Sequence, residues 1–104
     1  MGLAELHEAV DVLVVGGGSA GTIAAAQAGR AGVRTSLIEM SGILGGTTTA
    51  GGVTAPAFFY CGPRQVIAGF GWELVKAAKA LDSSPLPDFN IPHPTRPSYQ
   101  IPIN

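Results

Sequence analysis

The 104-residue sequence predicts an α/β fold organised around a parallel βαβ unit. Three observations carry this expectation. Val12-Leu13-Val14-Val15 is a short β-branched run stopped by Gly16, and Arg34 to Glu39 (RTSLIE) reads as a second strand. The stretch from Ser19 to Ala31 is rich in alanine, a strong helix former, and is followed by Gly32, where a helix C-terminal glycine belongs. Residues 16–33 separate the two runs, enough for a crossover helix and too many for a hairpin. Such a crossover is right-handed.

Each element has its own signal. Residues 1–10 form an N-terminal extension. The continuous apolar character of Val12–Val15 is that of a strand covered on both faces, as in a parallel sheet. Residues 41–52, SGILGGTTTAGG, combine five Gly with three Thr and predict a loop with room for a short helix. A second helix is expected from Phe70 to Leu81. Phe70, Leu74, Ala77, Ala78 and Leu81 share one face there, with Glu73, Lys76 and Lys79 elsewhere. Residues 11–82 thus make the body of the domain. From 83 to 104 the chain is a Pro-rich linker or loop, because closely spaced prolines remove donors and disfavour α geometry before each ring.

Composition narrows the function. Net charge is −1, so there is no basic surplus to hold nucleic-acid phosphates. With 46% hydrophobic residues the chain is too apolar for full disorder. One cysteine excludes an internal disulfide framework and a four-cysteine metal site. The uncharged stretches 12–29 and 40–63 are broken by Gly, Ser and Thr, so neither predicts a membrane span. MGLAELHEAV has no basic residue ahead of an apolar segment and does not read as a secretory signal, which leaves a cytoplasmic protein as the expectation.

The chemistry lies in Gly16-Gly17-Gly18-Ser19-Ala20-Gly21, a G-x-G-x-x-G placed between a predicted strand and a predicted helix. An acidic residue, Glu39, stands at the end of the second strand. Together these are the context of a dinucleotide-binding fingerprint in a Rossmann-like unit. Gly16 permits the sharp turn, Gly18 lets the backbone approach a pyrophosphate, and Gly21 lets helix and strand pack closely. The helix N-terminus offers unpaired N–H groups and partial positive charge to the phosphates, beginning with Ser19 and Ala20. Glu39 would accept hydrogen bonds from adenosine ribose hydroxyls, and its charge would repel a 2′-phosphate, which disfavours NADP. The plain alternatives are a tight βα turn without a ligand and a solvated strand-end carboxylate.

Residues 11–39, DVLVVGGGSAGTIAAAQAGRAGVRTSLIE, resemble the N-terminus of FAD-dependent oxidoreductases with the glutathione-reductase-like FAD/NAD(P)-binding domain, a broad family related to fumarate reductase flavoproteins. ILGGTTTAGG is similar to the second glycine-rich stretch of many members. The resemblance implies FAD as cofactor and a three-layer Rossmann-like domain in the complete protein. It implies that Gly45, Gly46 and Thr47 touch phosphate or ribitol, and that Gly51 and Gly52 lie near the isoalloxazine. Met40 stands where the family often has Arg or Lys, so one polar contact on the adenosine side is in question. The likeness is strong over residues 11–52 and only suggestive beyond. Family members usually run to several hundred residues, which implies that this unit is incomplete and is an N-terminal fragment or a split subunit. A second chain or a C-terminal domain would then supply the substrate groups. The reaction implied is transfer of a hydride or electron pair between a small organic substrate and flavin. An NAD-binding dehydrogenase domain and a non-catalytic nucleotide-binding subunit are the alternatives.

No catalytic acid or base is recognisable, and no metal cluster. Cys61 reads as a small buried hydrophobe rather than a redox thiol. His7 and His93 read as surface or loop histidines. Phe58, Phe59 and Tyr60 read as a core or interface strand, and Phe70 and Trp72 as packing residues.

Overall fold

The computed structural model describes residues 4–5, 7–53, 59–61, 64–83 and 86. Of the expected Pro-rich connection at 83–104, residues 84–85 and 87–104, His93 among them, lie outside the described residues, as does Phe58. Strand β1 (Val12–Val15), helix α1 (Ser19–Arg30) and strand β2 (Thr35–Ile38) form the βαβ unit. The strands pair in parallel, with Val12 opposite Thr35 and Val15 opposite Ile38. Both strands are within a residue or two of where the apolar runs predict them.

The register is pinned at its open end. Asp11 accepts hydrogen bonds from the Arg34 backbone N–H at 3.0 Å and from its guanidinium at 3.3 Å. At the other end the N–H of Gly16 donates to the carbonyl of Ile38 at 2.8 Å, which carries the pairing into the turn. Helix α1 stops as expected: Ala31 caps it, and Gly32 follows at φ +86°, a left-handed conformation open to glycine.

The expectation that β1 is covered on both faces is corrected. Val14 faces α1, and Val12 lies on the same side. Leu13 and Val15 point the other way and are 55% and 76% exposed, as is Ile38 of β2 at 55%. The physical reason is geometric: one crossover helix can cover only one face of a two-stranded sheet. No described residue buries the other.

Residues 46–48 form a 3₁₀ turn, matching the short helix for which the second glycine loop has room. A hairpin follows; its first strand takes up Tyr60 of the strand expected at 58–60, while its second strand and the pairing were not predicted. Strands β3 (Tyr60–Cys61) and β4 (Arg64–Gln65) pair antiparallel, and the intervening dipeptide Gly62-Pro63 is the turn signal that could have revealed it. Phe59, just before β3, is 7% exposed and stacks at a tilt on Trp72, ring centroids 5.6 Å apart. Cys61 is exposed rather than buried, because it sits on a two-residue strand outside the core.

Helix α2 (Phe70–Asp82) lies where expected but presents a different stripe. Its buried positions are Gly71, Val75 and Lys79, whereas Leu74 and Leu81 are exposed. Gly71 decides the rotation. A Cβ there would sit 3.0 Å from Ile23 Cδ1, so the small residue allows α2 to lie close on α1. The two helices are also clasped by charge. Arg30 donates two hydrogen bonds to Glu73, at 3.0 and 2.8 Å, and its guanidinium lies 4.6 Å above the Phe70 ring. No helix among the described residues is long and apolar enough to cross a membrane.

Candidate functional site

The site is built at the C-terminal end of β1 and β2, where the chain turns from strand to helix. Gly16 adopts φ +102°, the left-handed backbone the sharp turn demands. Gly21 sits on the first turn of α1 against this turn. A Cβ on Gly21 would run into the carbonyl oxygen of Gly16 and stand 3.4 Å from Val14 Cγ1. Close helix-to-strand contact therefore requires glycine at 21.

Gly18 is different. Its φ of −63° and ψ of −178° are open to any residue, and a Cβ there would meet no protein atom within 4 Å. Neither backbone conformation nor packing within the described residues requires glycine at this position. The free space lies beside the N-terminus of α1. No side chain caps that terminus, and no acidic residue occupies its first turn. Its partial positive charge is thus met by no side-chain cap and no carboxylate of its own, and the Gly18 Cβ position beside it is open, which suits an anion.

The second glycine loop closes onto this turn. The N–H of Gly45 donates to the carbonyl of Gly17 at 2.8 Å, and Gly18 and Gly45 form an isolated parallel bridge. The Ser19 hydroxyl donates to the Gly45 carbonyl at 3.0 Å, and the Thr48 hydroxyl donates to the same oxygen at 2.9 Å. Gly45 itself stands at φ +103°, and a Cβ there would fall 2.6 Å from Thr49 Cγ2. Gly46 and Thr47 belong to the 3₁₀ turn, and a Cβ on Gly46 would come within 3.0 Å of Gly18 Cα. The two glycine-rich stretches, 24 or more residues apart in sequence, thus become one backbone-lined cradle.

Glu39 reaches the same place from the end of β2. Its carboxylate accepts from the N–H of Ser41 at 2.8 Å and from the N–H of Gly17 at 2.5 Å. The N–H of Ser41, then its hydroxyl, and then the N–H of Gly17 hold this carboxyl below the usual glutamate range, so it is an ionised acceptor at neutral pH. The remaining expected residues are less gathered. Ala20 is exposed on the first turn of α1 beside Ser19. Met40 is fully exposed. Gly51 and Gly52 lie at the far end of the second loop, bonded to Gly46 and Thr49 through their N–H groups at 2.9 and 3.0 Å.

Residue-by-residue reading of the motif passed over Gly17 and Thr22. The Thr22 hydroxyl donates to the Gly17 carbonyl at 2.9 Å, so it braces the turn from inside α1. The signal was present as a third consecutive glycine at a position the motif leaves open. Next to the cradle lies an open, largely apolar groove of about 610 Å³. Ser19 and Ile23 of α1, Thr48 and Thr49 of the second loop, and Leu74 and Ala78 of α2 line it. Among the described residues no cluster of three or more His, Cys, Asp or Glu could hold a metal ion.

Among curated proteins and among solved structures no match to the chain is found. The model of one protein family, described as FAD dependent oxidoreductase, matches residues 11–103. That span contains both glycine loops, the strand-end acid and both helices, and extends the likeness well past residue 52. The chain belongs to the FAD dependent oxidoreductase family, and its cofactor is FAD.

Proposed function

We propose that this chain is the FAD-binding portion of an oxidoreductase that passes a hydride or electron pair between a small organic substrate and flavin. One observation carries the assignment of the site: Gly18 is a glycine that neither its backbone conformation nor its packing requires, placed beside an uncapped helix N-terminus. A pyrophosphate in that space gives the missing reason for the absent side chain. FAD, when bound, supplies the two-electron chemistry.

The chain's own residues bind and orient. The N–H groups at the start of α1, from Ser19, Ala20 and Gly21, face the phosphate position. Gly16 and Gly21 hold the turn that aims them. Glu39 accepts from the ribose hydroxyls, and Met40 beside it covers the adenosine side without a charge. Gly45, Gly46 and Thr47 close the cradle over the phosphate or ribitol, and Gly51 and Gly52 border the flavin. The apolar groove beside Ser19 and Thr48 keeps water from the ligand's uncharged part. Substrate groups come from a second chain or a further domain. The exposed apolar face of Leu13, Val15 and Ile38 supports this, because such a face is normally covered in a parallel sheet.

The test is direct. The purified chain is expected to carry flavin absorbance or to take up FAD on titration, with quenching of flavin fluorescence. A folded protein that remains colourless and leaves FAD fluorescence unchanged at saturating protein would refute the site.

A further inference from the structure

Gly17 occupies the open position of the glycine motif, and nothing about its backbone requires glycine, since its φ is not positive. It is nevertheless buried, unlike Gly16 beside it. A Cβ on Gly17 would stand 2.5 Å from Leu44 Cδ2, 3.0 Å from Glu39 Cβ and 3.0 Å from Glu39 Oε2. The absent side chain is the space into which Glu39 and Leu44 fold.

Three elements meet at the two peptide groups of Gly17. Its N–H donates to Glu39 Oε2 at the end of β2. Its carbonyl accepts from Gly45 N–H of the second loop at 2.8 Å and from the Thr22 hydroxyl of α1 at 2.9 Å. An ionised carboxylate offers about four acceptor positions. Gly17 takes one on Oε2 and Ser41 takes one on Oε1. The capacity beyond these two bonds, shared with the nearby Ser41 hydroxyl and Met40 N–H, is what a ribose hydroxyl would use.

The geometry points to Gly17 as the positioning residue that aims the Glu39 carboxylate at the adenosine ribose, with the absence of a side chain at 17 setting where the acid stands. This rests on the reading that the site binds FAD. It assigns the third glycine a role in ribose recognition that differs from that of Gly18, whose open side faces the phosphates.

The experiment uses the full chain and measures dissociation constants for FAD, ADP and 2′-deoxy-ADP, the nucleotides by competition against FAD. Gly17→Ala is compared with Glu39→Ala and with the pair. The unaltered chain is expected to prefer ADP over 2′-deoxy-ADP by about tenfold, the least that one hydrogen bond to a charged group contributes. Gly17→Ala should erase that preference, and should weaken binding no further once Glu39 is already alanine. A loss that were merely structural would weaken both nucleotides alike and would persist in the Glu39→Ala background. If Gly17→Ala does not fold, Gly17→Ala with Leu44→Ala removes the 2.5 Å contact, leaves the approach to Glu39, and carries the same expectation. A Gly17→Ala protein that keeps the full preference for ADP overturns the positioning role while leaving FAD binding intact. A folded parent chain that binds neither FAD nor ADP overturns the site reading itself, and this inference with it.

Discussion

Substituting Gly18 and Gly21 separately distinguishes a glycine kept for a ligand from a glycine kept for the fold. At Gly18 the backbone is extended and the Cβ position is empty, so Gly18→Val introduces no clash within the described structure. Two small effects oppose each other. A side chain lowers the entropy of the unfolded chain, which stabilises by about 0.4–1 kcal/mol. An apolar residue is a poorer N-cap than glycine, which costs about the same. Net stability should therefore move by less than about 1 kcal/mol. The valine methyl groups would instead fill the space beside the Ser19 and Ala20 N–H groups. Losing two hydrogen bonds to a charged phosphate costs about 3–6 kcal/mol, which weakens FAD binding by roughly 10² to 10⁴. Gly21→Ala should behave in the opposite sense. Its Cβ meets the Gly16 carbonyl oxygen, so the helix must shift on the strand, at about 1–3 kcal/mol or more, against a propensity gain of at most about 1 kcal/mol. Thermal or urea unfolding read beside FAD titration checks both. Tight FAD binding by Gly18→Val would refute the assignment of the phosphate site, and a stable, unaltered Gly21→Ala fold would refute the packing argument.

Glu39→Ala should weaken FAD binding by about 1.5–3 kcal/mol, visible as a rise in dissociation constant of roughly tenfold to a hundredfold. Because Ser41 and Gly17 hold its carboxyl below the usual range, FAD affinity in the parent chain should stay level as pH falls from 7 to about 5. A fall in that window would mean that another group titrates. Glu73 and Asp11 are also held low, by the Arg30 and Arg34 side chains respectively. Their stabilisation is present above the unfolded carboxylate value, about 4, and is lost as pH drops through the lower folded value, so the contribution of these two surface pairs should fade below about pH 4. Arg30→Ala should lower the melting temperature more than Glu73→Gln, because it removes the Phe70 ring contact as well as the ion pair, and only the ion-pair part should fade with salt. Val75→Ala, at a position 2% exposed, should destabilise by about 1.5–3 kcal/mol, and Phe59→Ala by about 3–5 kcal/mol, measured by urea unfolding.

The βαβ unit was legible because its signals are local. A β-branched run, an alanine-rich stretch and a terminal glycine each act within a few residues, and the two parallel strands appear within a residue or two of their predicted bounds. Helix α2 was legible as a helix but not in orientation. Spacing placed Leu74 and Leu81 inward, whereas contact with Ile23 through Gly71 turned Val75 inward instead. The face a helix buries depends on what packs against it, and a single sequence does not contain that partner's shape. The β3–β4 hairpin was missed for a related reason: two-residue strands are too short to show a period.

For the site, sequence alone determined the parts. It identified a glycine turn leading into a helix, an acid at the next strand end and a second glycine loop, because left-handed turns and close backbone approaches demand glycine regardless of the rest of the chain. Tertiary structure decided how the parts meet. The Gly18–Gly45 bridge joins the two loops, and Gly17 ties Glu39 to both. Structure also sorted the glycines by cause. Gly16 answers to its φ, Gly21 to a neighbouring carbonyl, Gly17 to Glu39 and Leu44, and Gly18 to no described protein atom. A glycine in a sequence states only that a side chain is absent. At Gly17 what would have occupied that space is a long-range fact, fixed by Glu39 and Leu44, more than 20 residues away, folding onto the same few ångströms.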